Sequence, residues 1–127
     1  MKKIKIISLS ILLFGISTIT TAQNQAPVLN AGSTIKQAYC PETEIIIAPD
    51  FTITDADDTG VDSFSIQISS GYSSNSDLLE LDLQGHPNIK KDWSSVEGKL
   101  KLTPKGGTQI LYTDIQKAVR AVVFKSS

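Results

Sequence analysis

The sequence predicts an all-β protein that folds as a β-sandwich with one short helix near its C-terminal end. Three observations predict this class. Apolar and polar residues alternate in several short segments with the two-residue period of a strand. Glycines at positions 60, 71, 85, 98 and 106 separate these segments by 8 to 14 residues, close to the strand spacing of a sandwich. Only one segment, after Thr113, has helical spacing.

Composition narrows the function classes before any motif is considered. The chain has 127 residues, 40% of them apolar and 20% charged, which suits one globular domain. Its net charge of −1 argues against a nucleic-acid partner, because phosphate neutralisation requires a basic surface. One Cys and one His are too few for a zinc site, which needs about three or four nitrogen or sulfur ligands.

Residues 1–22 are predicted to be an export signal peptide. Three early lysines precede an apolar run from Ile6 to Ile16, and small residues at Thr20 and Ala22 predict cleavage before Gln23. The run is near half of the ~20 apolar residues that a spanning helix needs. We therefore expect a secreted or cell-surface domain at 23–127, with no membrane span after cleavage. It would carry 9 basic and 13 acidic residues.

Export affects the interpretation of Cys40, the single cysteine. Cysteines usually pair in an oxidising compartment, so a lone one indicates an intermolecular bond, a partner beyond the chain end or a free thiol. A catalytic role would need a nearby base, and His86 is far away in sequence. We expect Cys40 to be buried and inert, and the protein not to be an enzyme.

The predicted strands follow one another between turns, after an extended entry segment at 23–34. They are Glu44–Ala48, Phe51–Thr54, Ser63–Ser69, Leu79–Gln84 and Lys99–Thr103. Alternation places one set of apolar side chains in a shared core, namely Ile46, Phe64, Ile66, Ile68, Leu81, Leu100, Leu102 and Val122.

The helical segment begins at Thr113, which has capping-box spacing with Gln116. Ile115, Val119 and Val122 then follow at the spacing of one helix face. The run Ala121–Phe124 predicts a final strand. Since the sequence stops three residues later, we expect that strand to have an open edge or to lack its partner. The sandwich would then be incomplete at its C-terminal end, as in a fragment of a longer chain.

An acidic segment is the main candidate for metal binding. Asp55, Asp57 and Asp58 lie within four residues, and the fold could bring Asp77 close to them. Carboxylates in a loop suit Ca²⁺, which prefers several oxygen ligands. The helix–loop–helix calcium motif fails, since its twelfth position is Ile66 rather than Glu. The alternative is that these aspartates only stabilise a turn, because their side chains accept hydrogen bonds from nearby backbone amides.

Aromatic residues offer a second candidate site. Trp93, Tyr72 and Tyr112 could stack on a sugar ring, which would make the domain a carbohydrate-binding module. Glycoside hydrolysis is disfavoured, because it needs two carboxyl groups across a cleft and the acidic residues share one small loop. A core or rim position for Trp93 is the alternative.

Several motifs in order resemble a cadherin-like repeat of bacterial surface proteins. The resemblance covers about residues 27–127. Its motifs are Asp50–Asp58 (DFTITDADD), Ile66–Tyr72 (IQISSGY), Asp77-Leu-Leu, Trp93, Gly98–Leu102 (GKLKL), Tyr112 and the helical segment Ile115–Phe124. Ahead of them, Ala38-Tyr-Cys-Pro41 is similar to the opening of large secreted proteins of gliding bacteria, which often carry a C-type lectin domain and a type IX secretion sorting domain further on.

The resemblance implies an Ig-like or cadherin-like β-sandwich that serves cell adhesion or spacing without catalysis. Its partners would be downstream domains of the same longer chain, and surface glycans or proteins. Calcium is typical of true cadherins, and here only Asp55, Asp57 and Asp58 match the Asp-x-Asp element. Calcium is therefore the one cofactor that the resemblance suggests, and the carbohydrate-binding module is the alternative function.

Overall fold

The computed structural model describes residues 24–32 and 40–127, and within these ranges the chain forms ten short strands and one helix. The predicted signal peptide and Ala38-Tyr39 lie outside the described residues. The elements are β1 Val28–Asn30, β2 Glu44–Ile46, β3 Thr52–Thr54, β4 Gly60–Val61, β5 Phe64–Gln67, β6 Asp77–Glu80, β7 Ile89–Ser94, β8 Lys99–Pro104, β9 Ile110–Leu111, α1 Tyr112–Val119 and β10 Val123–Ser126.

Two three-stranded antiparallel sheets contain most of the strands. One has the order β2-β10-β6 and the other the order β5-β8-β7, while β1 pairs with β3 and β4 with β9. Both three-stranded sheets contribute side chains to a single apolar core, which α1 also joins. The all-β, sandwich-like fold with one short helix is therefore confirmed.

The core contains most of the side chains that alternation predicts. Leu81, Leu100, Leu102 and Val122 are fully buried. The half-buried residues Phe64, Ile66 and Ile68 pack against them from β5 and its end. Ile46 was a wrong prediction, because its side chain is 46% exposed. Three consecutive isoleucines at 45–47 carry no alternation, so the sequence could not tell which of them faces inwards.

The helix begins at Tyr112, directly after β9, and buries the face formed by Ile115, Ala118 and Val119. The predicted capping box is wrong. The N-cap is Leu111, which makes no side-chain cap, and Thr113 lies inside the helix. Gln116 is engaged elsewhere, since its Oε1 accepts a hydrogen bond from Ile53 N at 3.3 Å. A tertiary contact thus uses the side chain that the local motif required.

The late strand β10 starts two residues after its predicted position, and it is not an open edge. It lies between β2 and β6, with Val123 opposite both Ile46 and Glu80. The expectation of an unpaired edge or a missing partner is therefore wrong. Both neighbours of β10 come from more than forty residues earlier in the chain, a distance at which sequence pattern gives no pairing information.

Candidate functional site

The three clustered aspartates lie in the loop between β3 and β4, here called the acidic loop (residues 55–58). Asp55 Oδ1 accepts hydrogen bonds from the backbone amides of Asp57 at 3.0 Å and Asp58 at 3.2 Å. This is the turn-stabilising use of Asp that its chemistry favours. One carboxylate oxygen from each residue lies within 4.8 Å of the others, so the loop also presents three oxygen donors together.

Tyr112, the first residue of α1, contacts the acidic loop. Its hydroxyl donates to Asp55 Oδ2 at 2.8 Å. The Asp57 amide, followed by the Tyr112 hydroxyl, lowers the pKa of Asp55 to about 2. Partial burial and then the ionised Asp55 raise the pKa of Tyr112 to about 12. At neutral pH, Asp55 is therefore a charged acceptor and Tyr112 a neutral donor.

Asp57 connects the acidic loop to the beginning of the described chain. Its Oδ2 accepts a hydrogen bond from the backbone amide of Gln25 at 2.9 Å. That bond favours the charged carboxylate, but the hydrogen bond with the Asp55 carboxyl, desolvation and the charges of Asp55 and Asp58 outweigh it. The pKa of Asp57 is raised above its ordinary value. Asp57 therefore takes up a proton more readily than an isolated aspartate does.

An open groove of 410 Å³ lies beside the acidic loop. Its walls come from Asn24–Pro27, from β4 with the residues flanking it, and from Tyr112. Gly60 is required there, because a Cβ at this position would lie 2.6 Å from Ile110 O on the paired strand β9. The groove places Asp58 and Tyr112 beside Pro27 and Val61, so its lining combines oxygen atoms with apolar side chains.

The structure does not bring Asp77 into the acidic cluster. Asp77 begins β6 opposite Ser126, and its Oδ2 accepts a hydrogen bond from Ser73 N at 2.8 Å. The Ser73 amide, followed by the Ser126 side chain, lowers the pKa of Asp77. Its carboxylate closes the turn that leads into β6, so it serves a different part of the fold from the acidic loop.

Two of the three predicted aromatic residues lie together. The rings of Tyr72 and Trp93 meet edge to face with centroids 6.2 Å apart. The Tyr72 hydroxyl donates to Ser95 O at 2.6 Å. A Cβ at Gly98, whose φ is +64°, would lie 3.0 Å from the Tyr72 ring. The pair therefore packs on the β7–β8 turn, whereas Tyr112 belongs to the acidic loop.

Two polar side chains of the helix and its C-cap contact the β3 segment, and the sequence pattern did not predict this contact. Gln116 Oε1 accepts from Ile53 N, and Arg120 Nε donates to Phe51 O at 2.8 Å. Together they form what we call the helix clasp, in which side chains one helical turn apart satisfy the edge of β3 that faces away from β1. Their i, i+4 spacing beside a buried helix face was the available sequence signal.

Cys40 and His86 differ in their exposure to solvent. Cys40 is exposed, so the expectation of a buried cysteine is wrong, and its carbonyl accepts hydrogen bonds from Thr43. His86 is buried in the turn before β7. Desolvation, followed by the charge of Lys117, lowers the pKa of His86. The imidazole is therefore neutral at pH 7.

Comparison with protein-family models, curated proteins and solved structures gives no match. The resemblance to cadherin-like repeats thus rests on the sequence motifs alone. Among the described residues, no helix has the length and apolar character needed to cross a membrane.

Proposed function

We propose that this protein is a non-catalytic adhesion or spacer module of a larger exported protein at the cell surface. The position of β10 carries the proposal. A module that links other domains transmits tension through its terminal strands, and β10 is hydrogen-bonded to β2 on one side and β6 on the other. Two ladders must therefore break before this strand leaves the fold, whereas an edge strand is held by one.

The N-terminal side of the described chain is fastened in a second way, which supports the same proposal. β1 pairs with β3 along three register positions, and the acidic loop holds Gln25 through Asp57. The helix clasp then ties β3 to α1. Tension entering through β1 passes to β3, and from there to a helix whose inner face is buried in the core.

Single-molecule pulling tests the spacer proposal. The protein would be placed between two inert handle domains and stretched through its ends. We expect a single cooperative unfolding peak for the protein. The unfolding force should be lower for Arg120→Ala, which removes one of the two hydrogen bonds of the helix clasp. Lys117→Ala on the same helix is the matched control. Extension without a resolved unfolding peak would contradict the proposal.

Calcium stabilisation of the module is a further part of the proposal. It is supported by the three carboxylates of the acidic loop, whose oxygens are the ligand type that Ca²⁺ prefers. Binding to the folded state raises the melting temperature by mass action. We expect added calcium to raise it, and Asp55→Asn with Asp57→Asn to abolish the rise. Asp92→Asn on β7 is the control. No shift in millimolar calcium would remove this part of the proposal.

Carbohydrate binding is the second candidate function. The observation that favours it is the proximity of Tyr72 and Trp93, since neighbouring aromatic rings are a common sugar platform. A glycan array probed with the protein tests this directly. Binding that is lost in Trp93→Ala and kept in Tyr112→Phe would support a glycan site at the β7–β8 turn. An array without signal would contradict carbohydrate binding and leave the spacer as the remaining proposed function.

A further inference from the structure

The outer edge of β5 has backbone groups that no described residue satisfies. β5 pairs with β8 on one side only, with Ile66 opposite Leu100, and Ile68 N continues that pairing by donating to Gly98 O at 2.9 Å. Successive residues of an antiparallel strand direct their amide and carbonyl groups to opposite edges. Those of Ser65 and Gln67 therefore point away from β8, where none of the residues 24–32 and 40–127 pairs with them.

Charge distinguishes this edge from the other outer edges of the two three-stranded sheets. No charged residue occurs from Ser63 to Ser76. The strand β1 is also neutral, but it has only three residues and follows Pro27, and both features discourage further pairing. Charged residues protect the remaining three-stranded-sheet edges, with Glu44 on β2, Asp77 and Glu80 on β6, and Lys90, Lys91 and Asp92 on β7.

The apolar side chains of β5 also lack a neighbour on that side. Phe64, Ile66 and Ile68 are only half-buried, whereas Leu100 and Leu102 on the central strand β8 are fully buried. All five belong to or pack against the same core, so the difference comes from position in the sheet. A further strand beside β5 would cover the exposed part of the three β5 side chains.

We propose that two copies of this chain join edge to edge through β5, in antiparallel orientation about a two-fold axis at Ile66. In this register Ser65 of one copy lies opposite Gln67 of the other, and their outward backbone groups form four hydrogen bonds. Phe64 lies opposite Ile68 of the other copy, so apolar faces apolar and polar faces polar. The two sheets become one continuous sheet of six strands.

The β5 edge suits pairing with a second copy of itself better than the β7 edge does. A two-fold axis places the residue on the axis opposite the same residue of the other copy, so a charged residue there meets its own charge. On β7 an axis at any of residues 90–92 would set a lysine or Asp92 against itself, while every residue of β5 is uncharged. The proposal goes beyond the spacer function and does not depend on calcium or glycan binding.

Sedimentation of the purified protein over a range of concentrations tests the proposal. We expect a monomer–dimer equilibrium that Ser65→Pro weakens by roughly 10- to 30-fold, because each dimer loses two backbone hydrogen bonds of about 1 kcal/mol each. Proline is tolerated at this position because the Ser65 amide is not used within the chain and proline occurs on edge strands. The matched control is Ser65→Thr, which keeps the amide and is expected to dimerise at least as well.

Hydrogen exchange gives an independent measurement on the unmodified protein. The amides of Ser65 and Gln67 should become protected as concentration rises, while protection of the β8 amides stays constant. A protein that remains monomeric at millimolar concentration overturns the proposal. So does a dimer that Ser65→Pro leaves intact without concentration-dependent protection of these two amides, since its interface must then lie elsewhere.

Discussion

The strands β1 and β10 have similar composition and opposite positions. Each contains two apolar residues, yet β10 lies between two neighbours while β1 pairs only with β3 among the described residues. In β1 the side chains of Val28 and Leu29 are 65% and 51% exposed, whereas all four residues of β10 are half-buried. The burial of a strand's side chains therefore depends more on how many neighbouring strands pair with it than on how apolar its sequence is.

Proline substitution should give the largest difference in unfolding free energy between β10 and β1. Every backbone amide of β10 faces a paired strand, so Val123→Pro removes a ladder bond toward β6 and is expected to cost ~3 kcal/mol or more of unfolding free energy. Leu29 lies opposite Ile53, whose amide faces Gln116, so its own amide points outwards. Leu29→Pro should cost less than about 1 kcal/mol. Urea unfolding measures both, and equal losses would contradict the contrast.

Truncating side chains gives the next largest difference. Val122 precedes β10 and is fully buried, so Val122→Ala leaves a cavity and should destabilise the protein by about 2 kcal/mol. Val28→Ala on β1 removes two methyl groups that are mostly in water, and should change stability by less than about 0.5 kcal/mol. Thermal melts of the two variants beside the unmodified protein test this. A larger loss for Val28→Ala would mean that β1 is covered in solution.

The helix clasp tests how firmly β3, the partner of β1, is held in the fold. Arg120→Ala leaves Phe51 O without its charged donor, and we expect a loss of about 1 to 2 kcal/mol together with faster exchange of the β3 amides. Lys117→Ala removes an exposed bond to Gly85 O and should cost less than about 0.5 kcal/mol. If both variants have the same stability, the bond from Arg120 to Phe51 O does not help to hold β3.

Tyr112→Phe should have the smallest effect, which appears in the pH dependence. It removes one donor to Asp55, so the pKa of Asp55 should rise from about 2 toward its ordinary 3.8 without reaching it, because the Asp57 amide remains. A depressed Asp55 pKa stabilises the fold above pH 3.8, and this contribution is lost as pH falls to about 2. Carboxyl NMR titration measures the shift. An unchanged Asp55 pKa would exclude the hydrogen bond.

Tyr112→Phe should also change the stability at alkaline pH, because the pKa of Tyr112 is raised whereas that of Asp55 is lowered. Since the pKa of Tyr112 is raised from 10.0 to about 12, its contribution to stability is complete below pH 10 and is lost between pH 10 and about 12. Tyr112→Phe should flatten that part of the stability profile. Asp62→Asn, close to the acidic loop but outside it, should leave both ends of the profile unchanged.

Strand prediction succeeded where alternation was clean and failed where charge or uniformity masked it. The pattern around Phe64–Ile68 gave the correct inward face. The strand β7 was missed because three consecutive charged residues, at 90–92, hide the buried Ile89 at its start. Glu44–Ile46 forms a strand within the predicted segment Glu44–Ala48, but three consecutive isoleucines could not show which side chain faces inwards. Local pattern thus reported burial only where polar residues marked the solvent side.

Site prediction had the same limit. Asp55, Asp57 and Asp58 were expected together and are together, since a loop of four residues keeps them close. Asp77 lies on a different turn, where its carboxylate accepts a bond from Ser73. The bond from Tyr112 to Asp55 joins residues 57 positions apart. Both outcomes depend on which strands pair. Gln116 was assigned to a cap and instead contacts β3, because the local motif and the tertiary contact compete for one side chain.

From the sequence alone we could infer short strands, a helix before the last of them, and three carboxylates in one turn. These are properties of neighbours, and local sterics and solvation decide them. The pairing of distant segments made β10 central, left β1 exposed, and left the neutral edge of β5 without a partner among the described residues. Strand order arises from pairing between distant segments, where the free energy comes from burying a common core rather than from any single stretch of residues.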